Sequence, residues 1–286
     1  MDRILVTGAT GQVGSAVVRA LVSRGIQVRA ATRKTTKISW TDFIQPVRFD
    51  YEDAGLHRAA LDEASGLFLV APPLDLDAPA KLIPFIDKAR EMGIKHLIFN
   101  SALGANANEQ TPLRIIENHI IKSGIPYTIL RPNFFMENFT TGRLAPMIAE
   151  GGIFLAAGDG QTSFISVDDI AEVAAVAFEK KHYGAEYNLT GPEALSHGKV
   201  AATIFSVSGH TVTYHPLSEE EMIQGARDKG VTENAIKYLT HLYSAVRGGF
   251  AAIVTGDVKA VTGRAPISFK EFAKKNAGLW RMREAA

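Results

Sequence analysis

The sequence predicts a Rossmann-type fold, an α/β doubly wound parallel sheet, with a smaller C-terminal α/β substrate subdomain. Three observations predict it. A glycine-rich turn follows the first apolar run, strand and helix patterns alternate through the first half of the chain, and the alternation becomes irregular beyond Arg131. The 286 residues are enough to bury a large core, and 46% hydrophobic with 21% charged residues is ordinary for a globular protein.

Strand and helix patterns follow one another in order along residues 3–130. Apolar strand patterns cover residues 3–7, 26–31, 47–50, 67–71, 95–100 and 127–130. Helix patterns between them cover residues 12–24, 54–63, 80–92 and 113–122. This alternation predicts parallel strands that are joined by right-handed crossovers.

The second half of the chain is less regular. Residues 164–167 are predicted to form a further strand that precedes a capped helix. We therefore assign residues 1–155 to an NAD(P)-binding domain, to which residues 163–180 return, and residues 181–286 to a smaller subdomain that covers the substrate. Ligands of open α/β sheets bind at the carboxyl ends of the strands, which is where a covering part is expected.

Composition limits the partners and the compartment. A net charge of +1 gives no general attraction to nucleic acid or to a membrane, and the absence of cysteine excludes disulfides and thiolate metal sites. The eight histidines have no metal-ligand spacing, so we expect no metal. No apolar run reaches membrane-spanning length and the first strand pattern begins at residue 3, so we expect a cytoplasmic protein without a signal peptide.

The glycine-rich turn is the strongest functional signal. In a dinucleotide-binding βαβ unit, Gly8 permits the tight turn, Gly11 lets backbone N–H groups approach a pyrophosphate, and Gly14 allows close packing of helix on strand. The N-terminus of the next helix adds a partial positive charge. We predict that this turn binds the cofactor through Thr7, Gly8, Thr10, Gly11, Gln12 and Val13.

The residues after the second strand indicate which dinucleotide is bound. An NAD site usually has an Asp or Glu there, but this chain has Arg33, with Lys34 and Lys37 close by. A guanidinium binds a 2′-phosphate, which a carboxylate would repel, so we predict NADP(H) in preference to NAD(H). The alternative is a solvated Arg33 that stacks on the adenine. Asp50 is predicted to meet the adenine amine, or else to cap the next helix.

Further cofactor contacts are expected where the later strands end. Ala71 and Pro72 follow the fourth strand, Ser101 follows the fifth and Asn133 follows the sixth. Because ligands of open α/β sheets bind outside the carboxyl ends of the strands, we predict that these four residues line the cofactor channel.

The glycine pattern resembles that of the short-chain dehydrogenase/reductase superfamily, whose usual catalytic signature is a Tyr followed by a Lys four residues later. None of the seven tyrosines here has a Lys at that spacing. The chain is more closely similar to the NmrA-like branch of atypical short-chain reductases, over nearly its whole length. The segments that carry this resemblance are residues 7–14, 124–138 (GIPYTILRPNFFMEN), 166–169 (SVDD) and 190–193 (TGPE).

That resemblance implies either of two functions. The branch includes triphenylmethane dye, quinone, azo-dye and ergot-alkaloid reductases, and also NmrA co-regulators that bind the nucleotide without evident turnover. Several relatives carry a Lys or His where this chain has Leu113, which cannot donate a proton. Either Arg114 or Ser101 substitutes for it, or the reaction needs no protein acid. Glu117 is expected to form an ion pair rather than to transfer protons.

The expected activity is therefore direct hydride transfer from NADPH to a conjugated or aromatic acceptor of the quinone, dye or iminium type. The catalytic candidates are Ser101, Asn133 and Phe135. An apolar cluster after the sixth strand forms either the floor of an acceptor pocket or part of the core: Phe134, Phe135, Met136 and Phe139. The alternative function is a non-catalytic NADP(H)-sensing regulator. The expected partner is a small aromatic substrate, for a monomer or a homodimer.

Overall fold

The computed structural model describes residues 3–37, 39 and 41–280. Its strands, in chain order, are β1 (Arg3–Val6), β2 (Gln27–Thr32), β3 (Ile44–Arg48), β4 (Gly66–Val70), β5 (His96–Asn100), β6 (Tyr127–Pro132), β7 (Gly152–Leu155), β8 (Gln161–Thr162), β9 (Ala185–Leu189), β10 (Leu195–Ser196) and β11 (Thr213–Pro216). Its α-helices are α1 (Gln12–Val22), α2 (Ala54–Leu61), α3 (Ala78–Glu91), α4 (Pro112–Ser123), α5 (Ala145–Ala149), α6 (Val167–Lys180), α7 (His197–Ser208), α8 (Glu219–Asp228), α9 (Glu233–Arg247), α10 (Asp257–Thr262) and α11 (Phe269–Trp280).

The central sheet has seven strands in the order β3-β2-β1-β4-β5-β6-β9. Every neighbouring pair is parallel. The chain first builds outward from β1 to β3 and then crosses over to β4, so the order reverses between β1 and β4. The predicted doubly wound Rossmann-type sheet is confirmed, and its switch point lies beside the glycine-rich turn.

The predicted strand at residues 164–167 is wrong. Only Ile165 makes a β-bridge there, with Phe135, and α6 begins at Val167. The run is apolar because Phe164 and Ile165 are buried, not because it pairs in a sheet. The seventh strand of the sheet is β9, an edge strand whose sequence is half polar, which is why an apolar-run criterion missed it.

The contacts within the chain divide it into two compact units. The first unit contains the described residues up to Pro132 together with Val167–Leu189 and Asp257–Gly263. The second contains Asn133–Ser166, Thr190–Gly256 and the described residues from Arg264 onward. Residues 133–155 thus lie in the second unit rather than with the expected NAD(P)-binding domain. Residues 185–189 lie in the first because β9 pairs with β6. The substrate-covering role of the C-terminal part stays a prediction.

The first unit is held by apolar packing against its sheet. Leu67, Phe68 and Leu69 on β4 are wholly buried, as a strand covered on both faces requires. One face of the sheet packs in a core with α2, α3 and α4 that includes Phe85 and Ile116. Within the described residues, no helix is both long and apolar enough to cross a membrane.

The second unit has its own core, and most of the apolar cluster after β6 belongs to this core rather than to the floor of a pocket. Met136 and Phe139 are buried in this core, and Phe134 packs against it. The indole nitrogen of Trp280 donates to the carbonyl oxygen of Phe139 at 2.8 Å, which ties α11 to the same core. Of that cluster, only Phe135 lies outside this core, and it is half-buried.

Candidate functional site

The glycine-rich turn has the geometry that its sequence predicts. Gly8 has φ +59°, a left-handed conformation that favours glycine. A Cβ at Gly14 would lie 2.2 Å from the carbonyl oxygen of Gly8, so no larger residue fits where α1 begins. The turn is also open to solvent, because Gly8, Thr10 and Gly11 are exposed. The backbone at this turn can therefore be approached closely by a ligand.

The turn is fixed to the ends of both neighbouring strands. The Thr7 hydroxyl donates to the carbonyl oxygen of Phe68 at 3.2 Å and accepts the N–H of Val70 at 2.9 Å. The N–H of Ala9 donates to the carbonyl oxygen of Ala31 at 3.2 Å. Thr7 is wholly buried, so its hydroxyl connects β1 to β4. The predicted contact of Thr7 with the cofactor stays a prediction.

These residues fit the diphosphate of a dinucleotide. The N-cap of α1 is Gly11, which brings no side-chain oxygen to the first turn, and that turn contains no acidic residue. A phosphate at the helix N-terminus would therefore meet the partial positive charge of the helix without a competing carboxylate from this turn. Gln12 is half-buried and Val13 is buried against the sheet.

The end of β2 presents cations. Arg33 directly follows β2, and Arg33, Lys34 and Lys37 are all exposed. Among the described residues, no carboxylate forms an ion pair with Arg33. Asp50 does not cap α2: its carboxylate accepts the N–H of Glu52 at 3.2 Å, and the cap is Asp53, which accepts the N–H of Gly55 at 3.0 Å.

Ala71 and Pro72 lie directly after β4 and are half-buried. Val70, the last residue of β4, is joined to the start of the glycine turn, since its N–H donates to the Thr7 hydroxyl at 2.9 Å. Val70 also pairs in register with Asn100 on β5, which Ser101 follows. The predicted contacts from the turn, from Ala71 and Pro72, and from Ser101 thus lie at the carboxyl ends of adjacent strands of one unit.

Ser101 belongs to a group of polar side chains that we call the Glu117 cluster, in which Ser101, Glu117 and Arg131 are buried, Arg114 is half-buried and Glu186 is exposed. Its members are Ser101, Arg114, Glu117, Arg131 and Glu186. The Ser101 hydroxyl donates to Oε1 of Glu117 at 2.5 Å. Arg131 donates from Nε to Oε1 of Glu117 at 2.9 Å and from Nη2 to Oε2 at 2.8 Å, a bidentate pair.

Two more ion pairs complete the cluster. Nη2 of Arg131 also donates to Glu186 at 2.6 Å, and Nη1 of Arg114 donates to Oε2 of Glu117 at 3.2 Å. Burial alone would raise the pKa of the Glu117 carboxyl, but the hydrogen bonds from Arg131 and Ser101 lower it on balance. Glu117 is therefore an ionised acceptor at neutral pH, and the Ser101 hydroxyl directs its hydrogen toward it.

This geometry confirms the expected ion-pair role of Glu117. It also bears on whether Arg114 or Ser101 could donate a proton in place of Leu113, because both side chains already have partners. Arg114 is paired with Glu109 and Glu117, and Ser101 gives its hydrogen to Glu117. The sequence analysis missed Arg131 and Glu186. A signal was present, since a charged Arg131 inside the buried strand β6 requires a partner of opposite charge.

Asn133, by contrast, lies in a neutral network of the second unit. Its Nδ2 donates to Oγ of Ser163 at 2.7 Å and to the carbonyl oxygen of Ala251 at 2.8 Å. Its Oδ1 accepts the N–H of Phe134 at 3.0 Å. Both amide hydrogens thus have partners within the unit. Phe135 is half-buried, and its cofactor or substrate contacts, like those of Asn133, stay predictions. In the described part of the chain, no group of three or more His, Cys, Asp or Glu residues forms a candidate metal site.

A doubly wound sheet with this glycine turn at its switch point defines a class, the dinucleotide-binding α/β proteins. Within that class, this chain belongs to the NmrA-like family, whose model matches residues 1–252.

Two relatives and two solved structures show which members of the family this chain is similar to. The uncharacterized oxidoreductase YesF of Bacillus subtilis is 32% identical over 279 residues, which cover 97% of this chain and 96% of that protein. The NAD(P)H azoreductase of Xenophilus azovorans is 32% identical over 287 residues, covering 97% and 99%. The NADPH-dependent quinone oxidoreductase QOR2 of Escherichia coli, solved with NADPH, has a TM-score of 0.83 at 25% identity, covering 96% and 99%. NmrA, a negative transcriptional regulator solved with NAD, shares the fold alone, with a TM-score of 0.76 at 16% identity and coverage of 97% and 96%.

These relatives confirm the predicted family, and with it the class of enzyme. The chain is an NAD(P)H-dependent oxidoreductase of the NmrA-like family.

Proposed function

We propose that this protein reduces a flat, conjugated acceptor of the quinone, dye or iminium type with NADPH, by direct hydride transfer and without a Tyr–Lys pair. The observation that carries the proposal is the hydrogen bond from Ser101 to Glu117, 2.5 Å long. Ser101 directly follows β5 and is one of the three catalytic candidates. Here its hydrogen is engaged by a carboxylate that stays ionised, so it is a poor proton donor to a substrate.

The residues present divide the binding of NADPH among them. The glycine turn and α1 receive the diphosphate, and the exposed Arg33, with Lys34 and Lys37, receives the 2′-phosphate. Bound NADPH supplies the hydride. Ala71, Pro72 and Ser101 position the cofactor at the carboxyl ends of β4 and β5. The protein's contribution is thus orientation and exclusion of water rather than acid–base chemistry.

The acceptor must tolerate this lack of an acid. A cationic triarylmethane or an iminium ion takes the hydride at its electron-poor carbon and becomes neutral, with no proton needed. A quinone takes the hydride and then one proton from water to give the hydroquinone. The azo-dye and quinone substrates named for two relatives are of the same flat, conjugated kind.

The test is NADPH consumption by the purified protein, followed by nicotinamide absorbance, with a quinone, a triarylmethane dye, an azo dye and an iminium compound. We expect saturable turnover with at least one acceptor. Tight NADPH binding without turnover of any acceptor would contradict the reductase and favour the alternative, an NADP(H)-sensing regulator. Cytoplasmic location and the monomeric or homodimeric state stay predictions.

The preference for NADP(H) is tested at Arg33. Replacing it by Asp removes the guanidinium and puts a repulsive carboxylate beside the 2′-phosphate, so we expect Arg33→Asp to weaken NADPH binding about 100-fold. The affinity for NADH should change less than about threefold. The matched control is Arg58→Asp, an exposed Arg of α2. Equal losses for both nucleotides at Arg33 would refute the 2′-phosphate assignment.

A further inference from the structure

The last residue of β5 is polar although the strand before it is apolar and buried. Leu97, Ile98 and Phe99 are wholly buried, and Asn100 itself is only 7% exposed. Its Oδ1 atom is buried and has no hydrogen-bond partner in the described part of the chain. Because a buried polar atom without a partner lowers the stability of a fold, the presence of Asn100 here needs a reason other than stability.

The residues directly opposite Asn100 in the sheet are apolar. In register, Asn100 lies between Val70 on β4 and Leu130 on β6. Asparagine is depleted in strands, and an apolar or β-branched residue would pack better between two such neighbours. The packing of the sheet therefore does not explain an amide at this position.

Asn100 lies on the face of the sheet that carries α6 and α1. Side chains alternate between the two faces along a strand, and Phe99 belongs to the core that contains α2, α3 and α4. His96, on the same face as Asn100, contacts Phe178 of α6 with ring centroids 5.1 Å apart. Because α6 packs against α1, the helix that begins at the glycine turn lies on the same side of the sheet as the Asn100 amide.

The order of the strands indicates which half of the cofactor would reach the end of β5. The glycine turn follows β1 and Arg33 follows β2, whereas β4 and β5 lie on the other side of β1. In the proposed function, the glycine turn binds the diphosphate and Arg33 binds the 2′-phosphate of the adenosine half. The nicotinamide riboside half then extends toward β4 and β5, whose carboxyl ends are on the ligand side of an open sheet.

We propose that Asn100 binds the nicotinamide riboside half of NADP(H), and that its Oδ1 atom accepts a hydrogen bond from that half. This rests on the NADP(H) binding of the proposed function and adds a residue to it. The nicotinamide riboside half offers two kinds of donor, the carboxamide N–H and the ribose hydroxyls. A hydrogen bond in this apolar setting is strong because little water competes for it. It orients the half of the cofactor that carries the hydride.

The experiment measures the Kd of NADP⁺ and of 2′,5′-ADP, which lacks the nicotinamide riboside, by isothermal titration calorimetry. The variants are Asn100→Leu, which is similar in size, and Asn100→Val, which suits a strand and carries the test if Asn100→Leu does not fold. We expect both variants to weaken NADP⁺ binding about tenfold and to change the Kd of 2′,5′-ADP less than about twofold. The matched control is Asn118→Leu, which removes an amide of α4 that donates to Glu109 at 2.6 Å and should change neither Kd.

A third ligand identifies the donor. The 3-acetylpyridine analogue of NADP⁺ keeps the carbonyl oxygen of the carboxamide but has a methyl group in place of its nitrogen. A loss for NADP⁺ with an unchanged Kd for the analogue would assign Oδ1 of Asn100 to the carboxamide N–H. An equal loss for both would assign it to a ribose hydroxyl. Either result supports the proposal.

Stability separates a binding role from a structural one. Without nucleotide, the urea midpoint of Asn100→Leu should equal or exceed that of the wild type, because the variant removes a buried atom that has no partner among the described residues. A lower midpoint with equal losses for NADP⁺ and 2′,5′-ADP would overturn the inference, because the amide would then support the fold. An unchanged Kd for NADP⁺ would also overturn it and would leave a buried water molecule as the partner of Oδ1.

Turnover distinguishes this inference from the proposed function. Binding of NADP⁺ that depends on Asn100, without turnover of any acceptor by the wild type, would support the inference and contradict the reductase. Turnover by the wild type, with the same Kd for NADP⁺ in the wild type and in Asn100→Leu, would support the reductase and overturn the inference.

Discussion

Around Ser101, the first unit buries two full charges, Glu117 and Arg131, whose exposed fractions are 0% and 2%. Around Asn133, the second unit buries only neutral groups: one amide, the Ser163 hydroxyl and the carbonyl oxygens of Ala251 and Ile253. Both networks satisfy their members with short hydrogen bonds. They differ in how much stability is lost when one member is removed. A buried charge left without a partner lowers the free energy of unfolding far more than a buried amide left without one.

This difference indicates a division of labour. The Glu117 cluster joins α4 to β6 through a buried bidentate ion pair that is costly to open, and Arg131 also pairs with the exposed Glu186 on β9, so the ends of β5 and β6 are held firmly. The Asn133 network holds a loop through neutral bonds, which open at lower cost and allow small adjustments. The two networks therefore differ in rigidity, because charged pairs hold the strand ends of the first unit and neutral hydrogen bonds hold a loop of the second.

The largest expected effect comes from breaking the charged network. Arg131→Met keeps much of the aliphatic stem but leaves Glu117 buried opposite only Arg114, which is a longer ion pair at 3.2 Å. We expect a loss of about 3–5 kcal/mol in the free energy of unfolding, measured by urea denaturation at pH 7.

Two controls define the cause of that loss. The double variant Arg131→Met with Glu117→Met removes both charges and should recover much of the stability, because an apolar pair of similar volume carries no desolvation penalty. Arg227→Met removes an exposed pair with Glu233 and should have no measurable effect. If the double variant is less stable than Arg131→Met, the buried charge is not the source of the loss.

The next effect compares one buried histidine from each unit. Burial lowers the pKa of His96 to about 4 and that of His197 to about 4, so both rings are neutral in the folded protein at pH 7. Nε2 of His96 lies 2.9 Å from the Thr128 hydroxyl, which donates to the carbonyl oxygen of His182, so Nε2 carries a hydrogen. Nδ1 of His197 is buried and has no hydrogen-bond partner among the described residues.

These pKa values fix the direction of an acid effect. The unfolded state binds a proton at each histidine below about pH 6.5, whereas the folded state resists protonation down to about pH 4. Each ring should therefore cost about 3 kcal/mol of stability as the pH falls from 6.5 to 4, with full stability above that window. Urea denaturation at pH 7 and pH 4 should show less acid loss for His197→Phe and for His96→Gln than for the wild type. The stability that the wild type loses in acid includes the contribution of carboxylates such as Glu117, so it is the reference for both variants. An acid loss in both variants equal to that of the wild type would contradict the lowered pKa values of the two histidines.

The fold was predictable from the sequence because its signals are local. The two hydrogen-bond networks were not predictable, because their members are far apart in the sequence. Three of these local signals are the glycine-rich turn after β1, the residues at which the helices begin, and the apolar run of β4. Each depends on residues that are close in sequence. The partners of Arg131 lie at Glu117 and Glu186, and the partner of Asn133 lies at Ala251. The half-polar β9 also gives no apolar run, although it completes the sheet. Exposure of Phe250 has no sequence signature, since the same residue type is buried at Phe139.

The smallest expected effect comes from the neutral network. Asn133→Leu removes the amide but leaves the carbonyl oxygen of Ala251 bonded to the N–H of Ser163, so we expect a loss of about 1–2 kcal/mol in the free energy of unfolding. Asn276→Leu is the control, since its amide donates within α11, to the carbonyl oxygen of Phe272. The variant also separates the two roles of Asn133. Faster hydrogen exchange in residues 250–256 with an unchanged Kd for NADPH would identify it as the anchor of the loop. A tenfold weaker affinity for NADPH with unchanged exchange would instead place its amide against the cofactor, as the sequence predicted.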